Sequence, residues 1–248
     1  MLLYVIPLLG SIGGFLLGLV GFGWGSSTLP LLIILGIEPR HAIGAVVASN
    51  TLMCVLGSLR YGNAQYVSWR VAVPMTLGAV SAALLGTAFS TFLPSDLVVA
   101  VLGIYLAVGG ATVAARPSRQ RPRLNGAPSS QWRFALGGAI PGFFEGAYGS
   151  GGPAGLLTLV LLRVPIKLAI GSWLTVSLLS QGVASAVYAS LGLVDLVLTV
   201  LLVLGGVPAI ILSSHLTIRK LPDKTVERLA GAAITLLAIR AVAKVIAE

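Results

Sequence analysis

Long apolar runs separated by short polar gaps make up almost the whole chain. Ten such runs can be read, at residues 2–20, 27–37, 41–61, 71–93, 97–115, 134–148, 153–164, 168–191, 196–218 and 226–247. Most approach the roughly 20 residues needed to cross a bilayer core as a helix. The runs at 27–37 and 153–164 are too short, giving roughly 17 Å of helix each. The one long polar stretch, 116–133, holds five Arg and three Pro and has no apolar face. It reads as a basic linker between two transmembrane units, 1–115 and 134–248.

The two units repeat one another. Gly44 and Gly171, Tyr61 and Tyr188, and Gly78 and Gly205 are each separated by 127 positions, and Gly25 pairs with Gly152 on the same offset. After one inserted residue, Leu93-Pro94 pairs with Leu221-Pro222. A fixed offset over about 80 residues marks a duplication.

Composition fixes the solvent. Hydrophobic residues make up 56% of the 248 and charged residues only 9%, against about 25% charged in soluble domains. Mean hydropathy is +0.99. Lipid is therefore the medium for most of the surface, which predicts an all-α, polytopic membrane protein of 8–10 segments. The net charge of +9 does not indicate nucleic acid, because the bases sit in the gaps between apolar runs, as the positive-inside rule requires. The start lacks the basic head of a cleaved signal peptide, so the first segment is expected to stay. Cys54 is alone, so no internal disulfide is expected.

Charge also sets orientation. With an odd number of crossings per unit and the linker inside, thirteen bases are cytoplasmic and three external; with an even number the split is nine to seven. The odd arrangement is preferred, and it predicts inverted repeats. The short segments then act either as half of a discontinuous span or as a re-entrant hairpin, and both keep the parity.

Three groups are candidates for chemistry. The first is Gly23, Trp24, Gly25, Ser26 and Ser27, with the counterpart Gly149, Ser150, Gly151 and Gly152 followed by Pro153. Both runs precede the short helices. Ser and Thr suit N-caps and Pro suits the first turn, so each reads as an unwound strip entering a helix N-terminus. Such an end presents free N–H groups to an anion. The alternative role is close helix packing, which is the reading for Gly14 and Gly18. No Gly-Lys-Ser/Thr follows, so neither run is a nucleotide phosphate loop.

The second group is polar and lies on the third segment of each unit. Asn50, Ser177 and Gln181 are expected to line a solute path, whereas Ser49, Thr51, Thr175 and Ser180 are expected to bond between helices. The third is Glu145, a carboxylate well inside an apolar run and the counterpart of Gly18 at offset 127. It is either a proton carrier or a structural acceptor. Tyr4, Tyr66, Trp69 and Trp132 fit an interfacial aromatic belt. Two His and one Cys make no metal signature, and no cofactor is expected.

With the run from Gly21 to Ser27, Pro30, the stretch from Leu35 to Gly44 (LGIEPRHAIG), and the second copy from Gly149 to Pro153 with Lys167 to Gly171 (KLAIG), the chain resembles the TauE/SafE family of sulfite and organosulfonate permeases. The resemblance implies a bacterial inner-membrane carrier of small sulfur-containing anions. Trp24 departs from the family's consecutive glycines, and its indole is expected to narrow the site or stack on an organic group, favouring an anion larger than sulfite. The combined expectation is a secondary transporter working by alternating access, driven by protons or another coupling ion and not an enzyme. The other classes are a passive anion channel or an intramembrane enzyme using Glu145.

Overall fold

The computed structural model describes residues 2–90 and 131–247. The apolar run at 97–115, the pair Leu93-Pro94 and most of the basic linker lie outside the described residues. The described part is helical, with no strand. Its helices are α1 (Leu2–Val20), α2 (Trp24–Ile34), α3 (Pro39–Asn63), α4 (Trp69–Phe89), α5 (Gln131–Tyr148), α6 (Gly152–Leu161), α7 (Ile166–Ser190), α8 (Leu196–His215) and α9 (Asp223–Ala247). A π turn, Leu216–Lys220, extends α8. The linker expected at 116–133 ends earlier than expected, because Gln131 already begins α5.

Among the described residues, four helical stretches are long and apolar enough to cross a membrane: Pro39–Asn63, Trp69–Phe89, Ile166–Ser190 and Leu196–Lys220. Their surfaces carry exposed Leu77, Leu84, Leu179, Val197 and Leu204. Their interiors hold buried Ser, Thr, Asn and Gln. This polarity is the reverse of a water-soluble fold and suits a lipid surround.

The short helices fold back on the helices before them. A Cβ on Gly23 would stand 2.5 Å from Leu16 Cβ, and one on Gly13 would stand 3.0 Å from the Thr28 methyl. As α2 advances, α1 therefore recedes, and the pair is a hairpin. The second unit does the same. Gly151 abuts the Pro141 carbonyl, and a Cβ on Gly137 would stand 2.8 Å from the Thr158 methyl. This selects the re-entrant arrangement over the discontinuous span. An 11-residue helix is too short to cross on its own, but it closes a hairpin at mid-depth.

Glycines set the helix contacts and give their directions. Gly10, Gly14 and Gly18 of α1 meet Leu202, Gly206 and Ile210 of α8, so these helices run the same way. Gly138, Gly142 and Gly146 of α5 meet Met75, Ala79 and Ala83 of α4 in the same register. A Cβ on Gly14 would stand 2.6 Å from the Gly206 carbonyl oxygen, which confirms the packing role of Gly14 and Gly18. The central helices run oppositely: Gly44 of α3 meets Leu193, Gly57 meets Leu174, and Gly171 of α7 meets Tyr66. The α1–α2 hairpin thus enters from the end where α3 begins. The α5–α6 hairpin enters from the other end, and their tips meet in the middle.

The hydrogen bonds repeat as well. Tyr61 donates to the Gly18 carbonyl at 2.8 Å and Tyr188 to the Gly146 carbonyl at 2.9 Å. These bonds correct one pairing. Before the short helices the offset is 128, and after them it is 127, because α6 has 10 residues where α2 has 11. Glu145 therefore matches Leu17, not Gly18, and Gly152 matches Trp24, not Gly25.

Charge is sorted between the two ends. Arg60, Arg70, Arg133, Arg163, Lys167, Arg219 and Lys220 lie at the end where α3 finishes and α5 and α7 begin. Lys167 pairs there with Asp223 at 3.4 Å, joining α9 to the body. The opposite end has Glu38, Arg40, His41 and Asp195, with Glu38 bonded to His41 at 2.7 Å. Trp69 and Trp132 are exposed at helix starts and Tyr4 near the start of α1, as an aromatic belt requires.

Candidate functional site: the two hairpin tips

The site begins with two chain reversals. Gly21 (φ +80°) follows α1, Gly23 (φ +120°) precedes α2, and Gly149 (φ +65°) follows α5. L-residues with a Cβ resist these conformations. The N-cap residues are Gly23 and Gly151, and neither short helix receives a side-chain cap. This corrects the expectation that Ser or Thr would cap them. Ser27 instead donates to the Gly23 carbonyl at 2.5 Å, and Thr28 to the Trp24 carbonyl at 2.5 Å. Pro153 does occupy the first turn of α6, as expected. The first N–H to find an intrahelical acceptor is that of Ser27 in α2 and of Gly155 in α6, at 3.0 and 2.9 Å. The N–H groups before them point out of the helix ends, carrying the positive end of each helix dipole.

The tips touch. Gly25 sits against the Gly149 carbonyl, with no room for a Cβ, and a Cβ on Gly152 would stand 2.7 Å from Phe22 Cβ. Between them is a pocket. Gly23, Trp24, Gly25 and Ser26 line it from the first hairpin, and Gly149, Ser150 and Gly152 line it from the second. Asn50 of α3 and Ser177 of α7 close it from the central helices, with Glu145 beside them.

Glu145 is fully buried. Ser177 Oγ donates to its Oε1 and Ser180 Oγ to its Oε2. It has no ion-pair partner among the described residues. Asn50 Oδ1 accepts from the Cys54 thiol at 3.7 Å, which brings α3 against the same cluster. Gln181 is also fully buried, one turn beyond Ser177 and beside the carboxylate. Neither of its amide atoms is in hydrogen-bonding geometry with any described residue.

Most of the expected site residues therefore converge, and three stand apart from the pocket wall. Ser27 faces its own helix. Gly151 packs against the Pro141 carbonyl and Glu145 Cγ. Gln181 is not among the residues that line the pocket. Of the hydroxyls expected to bond between helices, Thr175 links α7 to Ser58 of α3 at 2.9 Å, and Thr51 bonds within its helix. Ser180 also bonds between helices, joining α7 to Glu145 of α5.

Trp24, part of the pocket lining, is held by its neighbours. Its indole N–H donates to Ser49 Oγ at 3.0 Å, and its ring packs on Gly13 and Gly206. Ser49 fixes the ring inside the helix contacts. A further aromatic in the lining is Trp173, which the sequence reading did not single out. Its indole nitrogen would stand 3.6 Å from a Cβ on Gly152, and its ring covers Gly155. Its position gave a signal: it is a Trp deep inside an apolar run, whereas Trp69 and Trp132 flank theirs. Leu17, Phe22 and Pro153 complete the lining.

Chemically, two uncapped helix ends face a pocket that also holds one carboxylate. The first feature attracts an anion and the second repels it unless it is neutral. Among the described residues no cluster of three or more His, Cys, Asp or Glu could hold a metal.

The family model described as "Sulfite exporter TauE/SafE" matches residues 6–241. The chain is similar to the "Probable membrane transporter protein YjnA" of Bacillus subtilis (strain 168), at 26% identity over 88% of this chain and 91% of that protein. It is also similar to the "Probable membrane transporter protein ORF9" of Sinorhizobium sp, at 29% identity over 56% of this chain and 53% of that protein. No solved structure matches.

Proposed function

We infer the activity of this chain from its family: it belongs to the sulfite exporter TauE/SafE family and is a multi-pass membrane transporter, not an enzyme. Its relatives named above are bacterial, in keeping with the bacterial inner membrane. We propose that its substrate is a small sulfur-containing anion such as sulfite or a sulfonate. The observation that carries this reading is the pair of uncapped N-termini, α2 and α6, converging on one pocket. Their N–H groups supply a fixed positive field without a cationic side chain, which suits a compact oxyanion that must also be released.

The mechanism we propose is alternating access by two inverted repeats. The hairpins enter from opposite ends and touch only at their tips, so each is placed to block one route to the pocket. Moving either hairpin against the α3–α7 pair opens one route and leaves the other closed. The base-rich end is assigned to the cytoplasm. Glu145 lies where a bound anion would feel its charge. Protonation removes the repulsion, so we assign it the coupling proton. Asn50 and Ser177 offer an amide and a hydroxyl to the anion.

The test is flux into proteoliposomes with sulfite, thiosulfate, sulfoacetate, taurine, sulfate and acetate. Sulfite or a sulfonate should be transported and should exchange across the membrane. Gly152→Val should insert normally and transport nothing, because its side chain would meet Phe22. Normal transport by that variant would remove the tips as the site. Flux without exchange would mean a channel.

A further inference from the structure

Two indoles line the pocket between the hairpin tips, and their N–H groups differ. Trp24 donates to Ser49 Oγ at 3.0 Å. Trp173 of α7 is 1% exposed, and its N–H makes no hydrogen bond with any described residue. A buried donor without an acceptor is costly and uncommon. Among the described residues, the side-chain polar atoms that are both sealed off and unpartnered belong to Gln181. The Trp173 nitrogen is therefore not sealed off, and the space it opens to is the pocket its residue lines.

The ring is held along the first turn of α6. A Cβ on Gly155 would meet three of its ring carbons, whereas its nitrogen would stand 3.6 Å from a Cβ on Gly152, the first residue of the helix. The N–H is thus at the helix end and the rest of the ring is beyond it. That end is short of a donor. In the first turn of α2 the N–H groups of Trp24, Gly25 and Ser26 are free. In α6 those of Gly152 and Ala154 are free, but Pro153 between them has no N–H. An indole N–H donates and cannot accept. Trp173 is therefore the lining side chain with a donor-only group left unspent, and whatever meets it must bring a lone pair.

We propose that the Trp173 indole N–H binds the anion directly, supplying the donor that Pro153 lacks. The ligand group is an oxyanion that places one oxygen on the N–H groups of the α6 end and another on the indole. Gly155 is the positioning residue, since a side chain there would displace the ring. The inference rests on reading the tips as an anion site, and it adds the side chain that selects an acceptor there.

The test reads the indole itself. The chain has four Trp, so protein carrying nitrogen-15 in its indoles gives four N–H signals in lipid nanodiscs. The Trp173 signal is assigned by its loss in Trp173→Phe or, if that variant fails to fold, by removing the other three in turn. Sulfite, methanesulfonate and sulfate are titrated, and melting temperature is followed in parallel. With an anion that raises the melting temperature, the Trp173 proton should move downfield and saturate, while the exposed Trp69 and Trp132 stay in place. Trp173→Phe keeps a ring over Gly155 but has no N–H, and should bind that anion about 10- to 100-fold more weakly, as expected for one bond to a charged group. Gly155→Ala should weaken binding in the same direction with the indole still present. A melting temperature that rises with sulfite, and loses that rise in Gly152→Val, while the Trp173 signal stays in place overturns the indole assignment and leaves the tips as the site. No rise and no movement with any of the three anions overturns both.

Discussion

The two hairpin tips share a backbone and differ in chemistry. In the second unit, Glu145 is surrounded by Ser177, Ser180 and Gln181. The equivalent places in the first unit are Leu17, Asn50, Met53 and Cys54, all buried. Bulk is exchanged as well. The first unit puts its indole on the short helix, as Trp24, and fixes it with Ser49. The second puts it on the long helix, as Trp173 over Gly155. A duplicated scaffold therefore needs matched backbone contacts but not matched side chains. The glycine contacts and tyrosine bonds hold two equivalent hairpins, while the buried carboxylate occurs in one of them. Under the proposed coupling through Glu145, one carboxylate in the site corresponds to one proton per cycle.

The sharpest way to break this comparison is to exchange the chemistry. Leu17→Glu combined with Glu145→Leu should abolish transport. It should also destabilise the protein by about 3–5 kcal/mol in a detergent unfolding titration, because the first tip has no serine pair to receive a carboxylate. Retained transport would mean that the tips are chemically interchangeable. Next in size, Ser180→Ala should cost about 1.5–3 kcal/mol, the usual loss for a bond to a charged group. Its counterpart Met53→Ala should cost about 2–5 kcal/mol by cavity formation alone and leave the pH dependence of transport unchanged. A smaller effect tests the shared scaffold. Tyr61→Phe and Tyr188→Phe should each lose about 0.5–1.5 kcal/mol, equally in both units, since each removes one bond to the same carbonyl. Unequal losses would show that one gate is held differently. The smallest effect concerns the ends of the short helices. Arg163 has φ +64° where the first unit has Gly36 at φ +83°. Arg163→Gly should stabilise by about 1 kcal/mol, and Gly36→Arg should destabilise by a similar amount. Both can be read from melting temperatures.

Much of the fold was legible because lipid imposes a simple code. Apolar runs must be helices when water cannot satisfy the backbone, so α1, α3, α4, α7 and α8 follow closely from hydropathy. The repeat was legible because the tip glycines and Tyr61 and Tyr188 answer backbone requirements that both units share. The one-residue slip between offsets was missed because glycines are frequent enough near both tips for either register to align. It moved the partner of Glu145 from Gly18 to Leu17.

The amino-acid sequence by itself determined the membrane class, the duplication, the two glycine-broken tips and the unusual carboxylate. Each depends on local composition or on a repeating pattern. Tertiary structure alone decided that the short helices turn back, that Trp173 joins Trp24 in the pocket lining, and that Ser180 and Gln181 stand beside Glu145. A hairpin and a broken span have the same hydropathy and the same charge parity. A side chain's direction depends on which helix lies against it, and here that is set by glycine contacts between residues far apart in the chain.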